Sequence, residues 1–345
     1  MTATKTQPPA SDARAPQIVS SNGTASVHLT LAVCDYEHVR EITQGLVRAD
    51  GITLTPLIFP SIEEITFRFT KSLEWDVSEL SFGKYISLTS QGDAPMIAIP
   101  VFPSRVHRHS AIYVRADRGI KTAKDLEGRA VGIPEWAQTA GIYVRGMLQH
   151  DHGVDLAKIQ WFQAGVREPG RVEKVQLNLS KGIAITARPD RTLVDMLEKG
   201  DLDAVMSARE VPGVRLFKDY RAAEVEYWKK TRIFPIMHVL ALRRDVYERN
   251  RWLAMNLFQA FLEAKRRSMA RVSEFGLSHL PLPWIPDHVR QWREIAGEDF
   301  WPYGVEPNRP TLEAFLQYGY EQGVCRKRIK VEDLFAPETL QSFKI

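Results

Sequence analysis

The sequence predicts an α/β protein of two lobes, each a largely parallel sheet flanked by helices. Short apolar or alternating segments bounded by turn residues recur between stretches with helical spacing, the rhythm of βαβ units. That rhythm runs from Val27 to Phe102 and begins again near Lys121. At 345 residues the chain also exceeds what one hydrophobic core usually serves, so two lobes are expected.

Each element follows from its residues. Residues 1–26 are polar, rich in Pro, Ser, Thr and Ala, and lack the apolar stretch of a secretory signal, which predicts a disordered tail. Val27–Val33 alternates apolar and polar residues as a strand does, and a helix carrying Val39, Ile42 and Leu46 follows. The Asp50-Gly51 turn leads into the strand Ile52–Phe59. Ser61 and Glu64 have the spacing of a capping box and open a helix through Phe67 and Phe69. Trp75–Leu80 reads as a strand, Ser81 as its junction with the helix Phe82–Gln91, and Met96–Phe102 and Ala111–Val114 as further strands. In the second unit the strand Arg129–Ile133 precedes a helix from Thr139 to His150, which Gly153 stops. Ile159–Phe162 and Leu202–Met206 are strands, and Thr192 with Asp195 opens the helix between them. The apolar centre of Tyr227–Arg243 reads as a strand returning to the first lobe. Arg251–Val272 is an amphipathic helix with Leu253, Leu257, Phe261 and Ala264 on one stripe, and Thr311–Gln322 is a last helix.

Composition excludes several classes. A net charge of +4 without a basic run argues against nucleic acid as a partner. No run of about 18 apolar residues occurs, so no membrane span is expected. Cys34 and Cys325 are too few for a disulfide framework or a zinc ribbon. A soluble, cytoplasmic protein is the expectation; a homo-oligomer is compatible with the sequence but not defined by it. Dinucleotide-binding, phosphate-loop and nucleophile-elbow motifs are absent.

The loop in PVFPSRVHRHSAIYV, residues 100–114, is the densest chemical signal. Arg105 and Arg108 can grip carboxylates through paired N–H groups, and His109 can donate a proton beside them. His107 and His109 also have a two-ligand metal spacing, but a site needs a third ligand and the flanking arginines repel a cation, so no metal is expected. Asp35, Ser81, the Glu135–Thr139 stretch and the Ser207–Arg209 stretch occupy other strand ends, where ligands bind in open α/β sheets. Ser81, Gln138 and Thr139 stand at helix starts, whose free N–H groups attract anions.

KDLEGRAVGIPE at 124–135, followed by LEKGDLDAVM at 197–206, resembles the second lobe of the type II periplasmic-binding-protein fold. Within that fold the sequence resembles the 4,5-dihydroxyphthalate decarboxylase family, through IPVFPSRVHRHSAIYV, GRAVGIPEWAQTAGIYVRG, LFKDYRAAEVEYWKKTRIFPIMHVLALRRDVYER, DFWPYGVEPNRPTLEAFL and EDLFAPETL. The resemblance implies lobe one at 27–114 plus 238–345, lobe two at 115–237, and a ligand cleft between them. It implies loss of CO2 from a hydroxylated aromatic dicarboxylate, 4,5-dihydroxyphthalate going to 3,4-dihydroxybenzoate. No cofactor is needed, because the phenol supplies the electrons. On this reading His109 or His238 is the general acid, and Asp35 or Glu135 accepts the phenolic proton. Arg105, Arg108 and Arg209 hold the carboxylates, with Ser81, Gln138, Thr139 and Ser207 beside them. Trp136, Trp301 and Tyr303 are candidates to stack on the ring. The competing expectation is a binding protein that closes on an aromatic acid without chemistry.

Overall fold

The computed structural model describes residues 17–21, 24–92 and 94–341. The chain opens with strands β1 (Gln17–Ser21) and β2 (Thr24–Cys34), then the single turn α1 (Arg40–Thr43) and strand β3 (Ile52–Phe59). Helix α2 (Ile62–Ser72), strand β4 (Val77–Ser81), helix α3 (Phe82–Gln91) and strand β5 (Met96–Arg105) complete the first passage. The second lobe contributes β6 (Ile112–Val114), β7 (Ala130–Ile133), α4 (Thr139–His152), β8 (Gln160–Gly165), β9 (Ile185–Thr192), α5 (Leu193–Lys199), β10 (Ala204–Met206), β11 (Val214–Arg215) and α6 (Tyr220–Thr231). The chain returns as β12 (Ile236–Arg243) and ends in α7 (Arg244–Arg249), α8 (Trp252–Val272), α9 (Ile285–Ala296) and α10 (Arg309–Glu321).

Two sheets result. In the first, the order is β1-β2-β4-β12-β5, with β3 also paired to β2. Strand β2 runs parallel to β3 and β4, whereas β12 enters antiparallel between β4 and β5. In the second, β11-β6-β10-β7-β8-β9, the strands β10, β7, β8 and β9 are parallel and β6 is antiparallel. The returning strand therefore does belong to the first lobe's sheet. Leu253, Leu257, Phe261 and Ala264 of α8 are fully buried against the first-lobe core, which is why the stripe is apolar.

Several boundaries differ from the sequence reading. Gln17–Ser21 pairs antiparallel with β2, so strand structure reaches into the stretch assigned to a tail through residue 26; residues 1–16 lie outside the described residues. The helix through Leu46 shrinks to one turn because Gly45 takes a left-handed conformation at φ 70° and leaves Leu46 exposed. Ser61 caps α2 by accepting from Glu63 N–H at 3.2 Å, while Glu64 pairs with Arg68 at 2.7 Å instead of closing the box. Strand β6 hydrogen-bonds within the second sheet, so the first crossover runs through residues 106–111, ahead of the boundary at 114. The second crossover, residues 232–235, lies beside it: Val106 N–H donates to the Pro235 carbonyl at 3.2 Å.

Buried histidines make the fold sensitive to acid. Burial pushes His38 and His109 down to about 4 and His107 to about 3. Below the ordinary 6.5 the unfolded chain binds protons that these folded imidazoles refuse, so stability falls as pH drops from 6.5 toward about 4. Melting temperatures across that range at fixed salt should decline, and His107→Phe, which keeps the stack on Phe234 seen at 4.7 Å, should reduce the slope. An unchanged slope in that variant would remove His107 from the account.

Candidate functional site

A cleft of about 790 Å³ opens between the strand ends of the two sheets. Ser81, Arg108, Glu135, Gln138, Thr139, Ser207, Arg209 and His238 all line it, from segments far apart in sequence. Two helix starts meet there. Thr139 Oγ1 accepts from Gly83 N–H at 2.9 Å and lies 3.0 Å from Ser81 Oγ, which ties α3 to α4. Gly83 permits that approach, since a Cβ there would come within 2.6 Å of the Ala137 carbonyl.

One wall holds a buried acid and an imidazole. His238 stands opposite Ser81 across the β12–β4 pair, so it shares a sheet face with Ser81 and, two residues away, Glu79. Glu79 Oε1 lies 2.6 Å from His238 Nδ1 and accepts from Tyr36 Oη–H at 2.6 Å; its Oε2 accepts from Cys34 N–H at 2.8 Å. Glu79 is fully buried, which by itself raises a carboxyl, but the contacts from His238, Tyr36 and Cys34 outweigh burial and hold it below the usual range. Burial and the Glu79 charge push the Cys34 thiol up to about 12 and raise the Tyr36 phenol.

The opposite wall is cationic. Lys84 reaches Glu135 at 2.5 Å and Glu173 at 3.3 Å, Arg171 meets Glu135 at 2.9 Å, and Lys174 lies 3.8 Å from the same carboxylate. Glu135 is buried, yet these three cations overcome the burial cost and keep it ionised. Glu63 of the first lobe faces Arg171 at 3.1 Å and Arg209 at 3.7 Å from the second, bridging the cleft. Arg108 differs from the rest. Its Nε and Nη2 point at the Met237 thioether at 3.3 and 3.0 Å, a weak acceptor, and among the described residues no carboxylate lies within ion-pair distance. Burial pushes this guanidinium down to about 10.

Other expected site residues lie elsewhere. Arg105 is buried and donates to the carbonyls of Phe234, at 3.0 Å, and Pro302, at 2.7 Å, and to Asn308 Oδ1; it fastens the second crossover and does not line the cleft. His109 begins the turn into β6 and packs edge-on against Phe217 and Tyr227, with its N–H to Glu224, outside the cleft lining. Asp35 is exposed and does not line the cleft. Glu135 lines it with both carboxylate oxygens engaged, one by Lys84 and the other by Arg171 and Lys174. Trp136 is sealed between Trp161 and the Arg145 guanidinium, and Trp301 and Tyr303 pack around His38. The exposed Phe67 is the aromatic side chain in the lining besides Tyr36. Among the described residues no group of three His, Cys, Asp or Glu is placed to hold a metal ion.

Sequence reasoning missed Glu79, Lys84, Arg171 and Lys174. A charged residue inside the buried strand VSELS, and another in the apolar start of FGKYISL, are anomalies that flag the first two. Arg171 and Lys174 sit in a segment without regular structure, where no periodicity points to them.

Known proteins share this architecture. Residues 81–172 match the family model described as NMT1/THI5 like. The fold is that of the periplasmic sulfonate-binding protein SsuA from Methylobacillus flagellatus, with a TM-score of 0.52 and 14% identity over 91% of this chain and 92% of that one. A 4,5-dihydroxyphthalate decarboxylase from Pseudomonas putida is 40% identical over 185 residues, 53% of this chain and 71% of the relative. The one from Comamonas testosteroni is 37% identical over 330 residues, 93% of this chain and 100% of the relative. With identity sustained along the full length of that relative, the chain belongs to the 4,5-dihydroxyphthalate decarboxylase family.

Proposed function

We propose that this chain removes one carboxylate from 4,5-dihydroxyphthalate as CO2, leaving 3,4-dihydroxybenzoate, and that His238 delivers the proton. The observation that carries this is Arg108: a guanidinium lining the cleft that, among the described residues, has the Met237 thioether as its hydrogen-bond partner and no carboxylate within ion-pair distance, Glu224 acting on it only from farther away. A ring with two adjacent carboxylates supplies one to Arg108 and offers the other to the opposite wall, where Lys174 and Arg209 hold their own carboxylates only loosely, at 3.8 and 3.7 Å. The ring hydroxyl para to the departing group pushes electron density onto that carbon, which His238 can then protonate. The Glu79 carboxylate takes Nδ1, so Nε2 is the nitrogen left for the substrate. Two free cysteines suit a reducing cytoplasm as the setting. No described helix is long and apolar enough to cross a membrane.

Product analysis tests the reading. Purified protein mixed with 4,5-dihydroxyphthalate should yield CO2 and 3,4-dihydroxybenzoate in equal amounts, whereas phthalate, lacking the hydroxyls, should bind and persist. Saturable binding of the dihydroxy acid with no CO2 released between pH 5 and 9 would replace the enzyme by a binding protein.

A further inference from the structure

Glu79, behind the His238 ring that lines the cleft, is the least expected residue of this region. It lies in the middle of a buried strand, with no exposed surface, and among the described residues no Lys or Arg comes within ion-pair distance of it. Stranding a carboxylate in a core costs several kcal/mol unless its oxygens are satisfied and its charge is balanced. Its oxygens are satisfied: Tyr36 and Cys34 N–H donate to it, and His238 Nδ1 stands at 2.6 Å. The imidazole is the one group in that set able to carry the balancing charge. Tyr36 Oη also lies 3.2 Å from His238 Nδ1, so the ring is held on one edge by two neighbours, one on β4 and one in the loop after β2. The other titratable groups around the pair are the Cys34 thiol, at the end of β2, His38 and Tyr303, which both feel the Glu79 charge, and Arg108, which approaches from the first crossover through Met237.

We infer that Glu79 is a positioning residue for the reaction: it fixes the His238 ring with Nδ1–H on the buried carboxylate and Nε2 toward the substrate, and it balances the ring's charge whenever the ring holds the proton. The inference rests on the decarboxylase reading of the cleft and adds how the acid is built. In the step itself the Nε2–H bond breaks and a C–H bond forms at the ring carbon bearing the departing carboxylate. The bond from that carbon to the carboxylate then breaks, its electron pair restores the aromatic ring, and CO2 leaves. Solvent returns a proton to Nε2, so no oxidant or reductant enters.

The experiment compares the native chain with Glu79→Gln, which keeps the shape and removes the charge. Turnover of 4,5-dihydroxyphthalate should fall by about a hundredfold or more in kcat. KM, and the affinity for unreactive phthalate, should stay within about threefold, because the anion clamps are untouched. In the native chain, proton NMR should show a strongly hydrogen-bonded imidazole N–H, assigned to His238 by its loss in His238→Gln and lost also in Glu79→Gln. A folded Glu79→Gln protein with native kcat overturns the inference, as does a native His238 whose Nδ1 carries no proton. Should the variant fail to fold, the NMR signal of the native chain decides. Absence of turnover by the native chain sinks the decarboxylase reading instead, and the same signal still reports whether Glu79 holds the ring.

Discussion

A His238→Gln protein should fold, bind phthalate with near-native affinity, and turn over 4,5-dihydroxyphthalate about 10²- to 10⁴-fold more slowly, the usual weight of a lost general acid. Gln preserves a donor toward Glu79 but has no proton to exchange at neutral pH. His109→Gln is the contrasting variant. That imidazole packs between Phe217 and Tyr227, outside the cleft lining, so its loss should leave kcat within about threefold of native. Single-turnover rates with quantified product separate the two, and a loss confined to His109→Gln would transfer the acid to the other histidine.

Arg108→Ala carries the second large effect. Removing a desolvated cation from a carboxylate costs about 2–5 kcal/mol, which corresponds to a fall in kcat/KM of roughly thirty- to several thousand-fold. The rise should fall mainly in KM, with phthalate affinity dropping in parallel by calorimetry. Arg105→Met should behave in the opposite manner. Its guanidinium serves the Phe234 and Pro302 carbonyls, so the protein should melt at lower temperature while any folded fraction keeps its KM. Native substrate affinity in Arg108→Ala would place the carboxylates elsewhere in the cleft.

The scaffold was readable because its signals are local and periodic. The strand Ile52–Phe59 and the helix Phe82–Gln91 have the bounds their apolar spacing and turn residues imply, and Gly153 stops its helix in the left-handed conformation at φ 64°. The meeting of distant strand ends was readable too, since parallel α/β sheets put their ligands there. Side-chain direction was not. Arg105 and Arg108 look equivalent in sequence, but β5 runs on to Arg105 and turns it onto the second crossover, whereas Arg108, past the end of the strand, reaches the cleft. His109 is diverted because a short helical turn, not an extended loop, carries it toward α6. The charges of the cationic wall depend on which cation finds which carboxylate across some ninety residues, as Lys84 and Glu173 do, and no local pattern encodes that pairing.

The bond from Val106 to Pro235 stitches the two crossovers into a single seam. A gate swinging on that seam would pull Glu63 away from Arg171 and Arg209, which belong to opposite leaves. Tyr36, Glu79 and His238 all ride on one leaf, so the proton relay would survive every opening intact, and only the grip on the anion would have to be remade in each catalytic cycle.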